Sequence, residues 1–177
     1  KERPGKMNYA SSGVGTTPHL AGELFKSRFG LDITHIAYKG AAPALTDTIS
    51  GVTDFGFKTA LSAIPSIQAG QLTPLAVASS QRLSMLPNVP TMAEVGIADF
   101  EITSWNGLFA PAGTPRDIID RLSAACASVA KMKDVQKTFA AQAAVVTSST
   151  PEEFKKFVAA EIKMWGDVVR LTGASAN

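Results

Sequence analysis

Up to Ser79 the chain alternates short strand-like runs with helical segments, and each helix ends on a glycine: Gly30, Gly51 and Gly70. A glycine just past a helix supplies the left-handed residue that closes it. Asn8 to Ser11, Ile33 to Tyr38, Thr53 to Phe57 and Leu72 to Ser79 read as strands. Pro18 to Phe29, Ala42 to Ser50 and Leu61 to Ala69 read as helices; the first carries Leu20, Leu24 and Phe25 on one side, and Pro65 is placed to kink the third. Leu75-Ala76-Val77-Ala78 has the composition of a buried strand. A βαβαβαβ order of this kind predicts an α/β fold with a mostly parallel sheet and helices on both faces.

In a parallel sheet every strand-to-helix loop lies on the same edge, so the loops carry the functional reading. Ser11-Ser12-Gly13-Val14-Gly15-Thr16-Thr17-Pro18-His19-Leu20 joins the first strand to the first helix. Its glycines permit a sharp turn and close backbone approach. Ser12, Thr16 and Thr17 offer hydroxyls, and the free N–H groups of a helix start suit an anion such as a carboxylate or phosphate. Two readings stand: an anion site, or a tight turn without a ligand. Gly13-Val14-Gly15 lacks the third glycine of a dinucleotide fingerprint and the Gly-Lys-Ser/Thr of a phosphate loop, and no cofactor is expected.

Three more loops follow strands. Tyr38-Lys39-Gly40-Ala41-Ala42-Pro43 offers backbone N–H groups, with Lys39 a solvated surface charge on the simpler reading. Phe57-Lys58-Thr59-Ala60 offers a cation and a hydroxyl; Ser79-Ser80-Gln81-Arg82 is the fourth. Together they predict a polar concave site at the carboxyl ends of the strands.

A catalytic reading would pair Ser12 with His19, but there is no Gly-x-Ser-x-Gly elbow and no assigned acid. His19 reads as a packing or capping residue. Asp47 and Asp54 fall within or beside structural elements, Asp54 at a strand start. Two histidines and Cys126, far apart in sequence, give no zinc pattern, and no metal site is expected. Cys126 lies on the apolar side of a helix and behaves as a small hydrophobe. Seventeen Lys and Arg against fifteen Asp and Glu give a net charge of +2 without a basic stripe, which excludes a nucleic-acid footprint. No apolar run reaches the roughly 20 residues of a membrane span.

After Ser80 the rhythm breaks. Pro87 and Pro90 punctuate an irregular segment with a short helix at Thr91 to Val95, and Phe100 to Pro111 reads as extended. A hinge or domain boundary falls near Ile102 to Asn106, where Trp105 either walls the cleft or anchors a core. Thr114-Pro115-Arg116-Asp117 opens a helix carrying Ile118, Ile119, Leu122, Cys126 and Val129. Asp134 to Gln142 is a second short helix, and Val145-Val146 a small strand. Thr150-Pro151-Glu152-Glu153 is a capping box for a last helix to about Leu171, with Phe154, Phe157, Val158, Ile162, Trp165 and Val169 on its apolar side. Lys1 to Lys6 reads as a helix end and a turn, not a natural N-terminus, and a signal peptide is not expected within it.

Taken in order, these motifs resemble the tripartite tricarboxylate transporter substrate-binding proteins, also called Bug proteins. The resemblance is carried by Asn8-Tyr9-Ala10-Ser11-Ser12-Gly13, Gly15-Thr16, His19-Leu20-Ala21-Gly22-Glu23-Leu24-Phe25 and Tyr38-Lys39-Gly40-Ala41-Ala42-Pro43-Ala44-Leu45-Thr46-Asp47. Leu86-Pro87-Asn88-Val89-Pro90-Thr91, Thr103-Ser104-Trp105, Gly107-Leu108-Phe109-Ala110-Pro111-Ala112-Gly113-Thr114-Pro115 and Thr150-Pro151-Glu152-Glu153-Phe154 extend it along nearly all 177 residues. The resemblance implies a periplasmic binding protein-like fold whose two α/β lobes close on a small carboxylate. The loaded protein then engages membrane transporter subunits. It further implies that a glycine-containing loop of the second lobe grips the carboxylate, which carries over to Ser12, Gly13, Gly15, Thr16 and Thr17 with Ala41 and Ala42 as neighbours.

Two departures accompany it. The family's N-terminal portion, with its signal peptide and first ligand-gripping loop, is expected to lie outside this sequence. Residues 1–103 then correspond to the second lobe, and 104–177 to the returning, incomplete C-terminal part of the first. That part would expose apolar helix faces, so a homo-oligomer or contact with the missing segment is expected. Family members often carry Asp-Asn after the strand ending at Phe57, whereas Lys58-Thr59 stand here, which would favour a more anionic ligand. The expected function is capture of a small carboxylate outside the cytoplasm for such a transporter, without catalysis. The alternatives are the ligand-sensing domain of a transcription regulator and a small hydrolase using Ser12.

Overall fold

Tyr9 and Ala10 are wholly shielded from solvent on the central strand of a three-stranded parallel sheet. The computed structural model describes residues 4–174. The helix end expected at Lys1 to Arg3 lies outside the described residues; Pro4 and Gly5 form the expected turn. The chain runs through β1 (Met7–Ser11), α1 (Thr17–Phe29), β2 (Ile33–Ala37), α2 (Ala41–Ile49), β3 (Phe55–Gly56) and α3 (Ala60–Gln68). Strand order is β2-β1-β3, with Tyr9 opposite His35 on one side and Phe55 on the other. These elements form the expected α/β lobe.

Local chemistry accounts for the boundaries. Gly30 closes α1 in the left-handed region at φ 58°, its N–H turned back on the last helical carbonyls. α1 packs on β1 through Gly22, where the Tyr9 ring lies against the helix backbone. Asn8 and Asp54 exchange hydrogen bonds of 2.8 and 3.1 Å, which tie the starts of β1 and β3 together. Phe25, Phe57 and the buried Phe100 form a ring cluster with centroids 5.8 to 5.9 Å apart.

Several expectations are corrected. The Thr53 to Phe57 strand contracts to Phe55–Gly56, because Thr53 N–H bonds to the Asp47 carbonyl and Asp54 is tied to Asn8. Leu72 to Ser79 is not a strand: Val77 makes one isolated parallel bridge to Thr91, and Leu75 is 75% exposed. Pro74 removes a ladder donor, and a two-residue β3 offers little to pair with. Thr91 to Val95 forms turns instead of a helix, closed by reciprocal Thr91–Glu94 hydrogen bonds. Val145-Val146 is irregular, with Val145 87% exposed.

The chain divides into two compact units. One holds the residues through Ser104 together with the stretch from Trp165 onward; the other is Trp105–Met164. The second unit contains α4 (Arg116–Ala130), α5 (Lys133–Ala140) and most of α6 (Pro151–Thr172). The predicted capping box forms: Glu153 accepts from the Thr150 N–H at 2.8 Å, and the Thr150 hydroxyl accepts from the Glu153 N–H at 3.2 Å. Trp105 is the anchor of this unit, edge-on to Phe154 and Phe157 with its indole N–H donated to Glu161. The α4 and α6 faces stay largely open at Leu122, Val129, Phe157 and Ile162. Cys126 is exposed with them, and not covered as its apolar neighbours suggested.

Candidate functional site

A sheet of order β2-β1-β3 sends the chain one way through α1 and back across β1 through α2. Ligands of α/β sheets bind outside the carboxyl ends of the strands where the order reverses. Here that point lies between β1 and β3, flanked by Ser12 to Thr16 and by Lys58 and Thr59. The loop after β2 is joined to the first. Tyr38 N–H donates to the Ser11 carbonyl and Gly40 N–H to the Ser12 carbonyl, each at 3.1 Å. Gly13, Gly15 and Gly40 have φ of 135°, 78° and 121°, which a side chain would oppose. At Gly13 a Cβ would also come 3.2 Å from the Tyr38 carbonyl.

The helix starts on this edge share an electrostatic peculiarity. α1, α2 and α3 begin after Thr16, Gly40 and Thr59, no side chain caps them, and none has an acidic residue in its first turn. By contrast α4, α5 and α6 carry Asp117, Asp134, and Glu152 with Glu153 at that position. The positive ends of the first three dipoles are therefore uncompensated where they face one edge. Within the first loop, Ser12 donates to the Thr16 hydroxyl at 3.3 Å and Thr16 donates to the Gly13 carbonyl at 2.6 Å. Thr17 is half-buried; Ala41 and Ala42 are exposed, as is Lys39. Thr59 donates to the Ser62 hydroxyl at 3.0 Å.

Lys58 is half-buried and donates to the Ala44 carbonyl at 2.9 Å. Burial pushes its ammonium down to about 8. No carboxylate pairs with it among the described residues.

The fourth loop follows no strand of the sheet, because the strand that would carry it does not form. Ser79 donates to the Gln81 carbonyl, and Arg82 is engaged by Glu94 at 2.9 Å and by the Pro87 carbonyl. Asp47 accepts from the Tyr38 hydroxyl at 2.7 Å. Nor does a Ser12–His19 pair form: Ser12 turns to Thr16, and His19 Nδ1 accepts the Gly15 N–H at 3.0 Å.

Behind the loop lies a cluster that the linear spacing of the histidines concealed. His19, 5% exposed, stacks on His35 at 4.3 Å, and His35 stacks on Tyr9 at 4.8 Å. His35 Nε2 meets the buried Ser11 hydroxyl at 2.7 Å, and Ser11 in turn accepts the Gly13 N–H at 3.2 Å. The Tyr9 hydroxyl and the Lys26 ammonium both donate to Glu23, at 2.7 and 2.9 Å. The signal was available, since parallel pairing of Asn8 to Ser11 with Ile33 to Tyr38 brings His35 beside Tyr9. Ligand atoms of His19, Glu23 and His35 fall within 4.8 Å of one another, so the histidines are not apart as their spacing implied. His19 Nδ1 is engaged by Gly15, His35 Nε2 by Ser11, and the Glu23 carboxylate by Tyr9 and Lys26.

Burial lowers His19 below the ordinary histidine range. It pushes His35 down to about 4, with neighbouring His19 adding to the effect. Burial works against the Glu23 carboxylate, but hydrogen bonds from Lys26 and Tyr9 hold it below its usual range.

Residues 1–174 match the family model described as Tripartite tricarboxylate transporter family receptor. The chain is 39% identical over 174 residues to protein BugT of Bordetella pertussis, covering 98% of this chain and 53% of the relative. Among solved structures, an R. palustris protein with adipate superposes with a TM-score of 0.90 at 33% identity, over 98% of this chain and 58% of that one. MatC from Rhodopseudomonas palustris with bound malate gives 0.79 at 31% identity, over 92% and 56%. The periplasmic binding protein BugD gives 0.86 at 28%, over 98% and 59%. The chain thus spans about half the length of the curated relatives first matched. These relatives give no support to self-association through the C-terminal helices.

Proposed function

The chain belongs to the tripartite tricarboxylate transporter receptor family, and from that premise we propose that it captures a small carboxylate in the periplasm for a membrane transporter. The family is one of receptors, not of enzymes. Among the described residues no helix is long and apolar enough to cross a membrane. Residues 1–103 serve as the second lobe of a two-lobed binder and the residues from 104 on as the returning part of the first, except that the stretch from Trp165 onward groups with the earlier residues.

One observation carries the reading: α1, α2 and α3 start uncapped and free of acidic residues at the carboxyl edge of one parallel sheet. A carboxylate there accepts from backbone N–H groups without displacing an internal anion. Ser12, Gly13, Gly15, Thr16 and Thr17 form the loop around its first carboxylate, with the N–H groups and hydroxyls outside the loop's own hydrogen bonds as donors. Ala41 and Ala42 line it with backbone donors. Lys58 and Thr59 meet a second anionic group, and the half-buried cation favours a dicarboxylate over a monocarboxylate. Adipate and malate in the neighbouring structures are the chemistry this reading anticipates.

The test is a thermal-shift series with acetate, malate, adipate, citrate and adipamide, on this chain and on the full-length gene product. A ligand that binds only the folded state raises the melting temperature. The expected result is stabilisation by a dicarboxylate and none by neutral adipamide. No stabilisation of either protein by any of these acids would refute the proposal.

A further inference from the structure

The Gly13–Gly15 turn that the proposed function assigns to the carboxylate is held from behind by two imidazoles. Gly15 donates its N–H to His19 Nδ1, so that nitrogen carries a lone pair and the ring proton sits on Nε2. A proton on Nδ1 would set two donors facing each other and remove the bond. Gly13 is tied through its N–H to the Ser11 hydroxyl, which His35 Nε2 engages in turn. Other ties within the turn run to the Gly13 carbonyl from the Ser11 hydroxyl and from the Thr16 N–H and hydroxyl, and from the Ser12 hydroxyl to the Thr16 hydroxyl. Gly15 itself is exposed, and among the described residues its N–H bonds to His19.

We propose that His19 and His35 are positioning residues for the carboxylate loop: while both are neutral they hold Gly13 and Gly15 in the binding shape, and protonation of His19 releases the loop and its ligand. The proposal rests on the carboxylate-capture reading and adds a proton-linked control to the same site. Rings stacked at 4.3 Å oppose a second positive charge, so the pair does not accept two protons together. The groups facing it are few. From α1 come Glu23, which favours the charged imidazole, and Lys26, which opposes it. From β1 comes the Tyr9 hydroxyl, already given to Glu23, and from β3 the uncharged Phe55. Glu23 is engaged by Tyr9 and Lys26, so no free carboxylate stands ready to hold an imidazolium. Burial keeps both rings neutral at pH 7, which places release below neutrality.

The experiment uses the whole chain and adipate as probe. In the ligand-free protein, the Gly15 amide resonance is followed from pH 7.5 to 4.5 beside the ¹⁵N resonances of the His19 ring. Adipate affinity is measured by calorimetry at pH 7.5 and 5.0 in the wild type and in His19→Asn, whose side-chain oxygen supplies an acceptor near the Nδ1 position and does not titrate. The expected result is a Gly15 amide that moves with the His19 midpoint. Wild-type affinity falls at least tenfold more than that of His19→Asn, which cancels the ligand's own titration. A Gly15 amide blind to His19, or a parallel loss of affinity in both proteins, would overturn the proposal while leaving capture intact. Should His19→Asn not fold, the amide titration of the wild type decides alone. Absence of adipate binding at pH 7.5 would instead overturn capture and, with it, the release step.

Discussion

Gly22 lies against the ring of Tyr9: a Cβ added to it would come 2.2 Å from the nearest ring carbon, where no side-chain atom fits. The Tyr9 ring is fully buried, and both its hydrogen bonds, to Glu23 and to the His19 carbonyl, run to the same helix. The contact therefore sets the distance of α1 from β1, and with it the position of the helix start behind the glycine loop.

Gly22→Ala should cost about 3 kcal/mol by overpacking, since neither partner can swing away. Urea denaturation followed by far-UV circular dichroism checks it. Tyr9→Phe keeps the ring and loses the hydroxyl, and should cost about 1 to 2 kcal/mol. A smaller effect for Gly22→Ala than for Tyr9→Phe would show that the helix can move off the strand.

Stability should fall with acid before the carboxylates titrate. Both histidines are held below the ordinary value of 6.5, His35 at about 4. Between those limits the unfolded chain binds more protons, so stability falls as pH drops through 6.5 and continues to fall toward 4. Denaturation midpoints at pH 7.0, 6.0 and 5.0 measure the slope. Replacing His35 with Phe should flatten it, and an unchanged slope in that variant would contradict the burial argument.

Lys58→Met should leave the fold as stable or slightly more stable, because it exchanges a half-buried ammonium for an apolar chain of similar length. Dicarboxylate affinity should drop about tenfold or more, the order expected for a lost charge-assisted contact. In the wild type, ligand binding should raise Lys58 from its value of about 8. Affinity then declines as pH rises through 8, with protons taken up on binding. Calorimetry in two buffers of different ionisation enthalpy reads that uptake; a pH-independent affinity from 7 to 9.5 would exclude Lys58 from the site.

Of the loop glycines, Gly13→Ala should be worse than Gly15→Ala. Gly15 opens into free space, so an added methyl meets only the backbone penalty of φ 78°, about 1 kcal/mol. Gly13 adds a 3.2 Å approach to the Tyr38 carbonyl, which pushes the two loops apart. Carboxylate affinity and melting temperature should both fall further for Gly13→Ala, and the reverse order would contradict the loop geometry.

Much of the first unit was legible before the structure because its signals are local. Gly30 and Gly51 mark helix ends through a left-handed residue, and the Thr150–Glu153 box is read over four positions. The glycines at 13 and 15 marked a sharp turn for the same reason. Where the sequence misled, the deciding partner lay elsewhere. Leu75 to Ala78 looked like a buried strand, yet strand formation needs a neighbour to pair with, and β3 ends after two residues. The loop Ser79 to Arg82 read as part of the cleft, yet Arg82 pairs with Glu94. Cys126 lies on an apolar face, but no helix-local rule says whether that face is covered.

By itself, then, the sequence determined the alternation of strands and helices, the turns that close them and the family motifs, all set by backbone preference and short-range periodicity. Only the tertiary structure decided which of these loops share an edge, that His19 stacks on His35 behind Gly15, and that Lys58 folds onto Ala44. Those outcomes depend on strand order and register. Parallel pairing brings together residues up to 46 positions apart, and no local propensity encodes which pairs will meet.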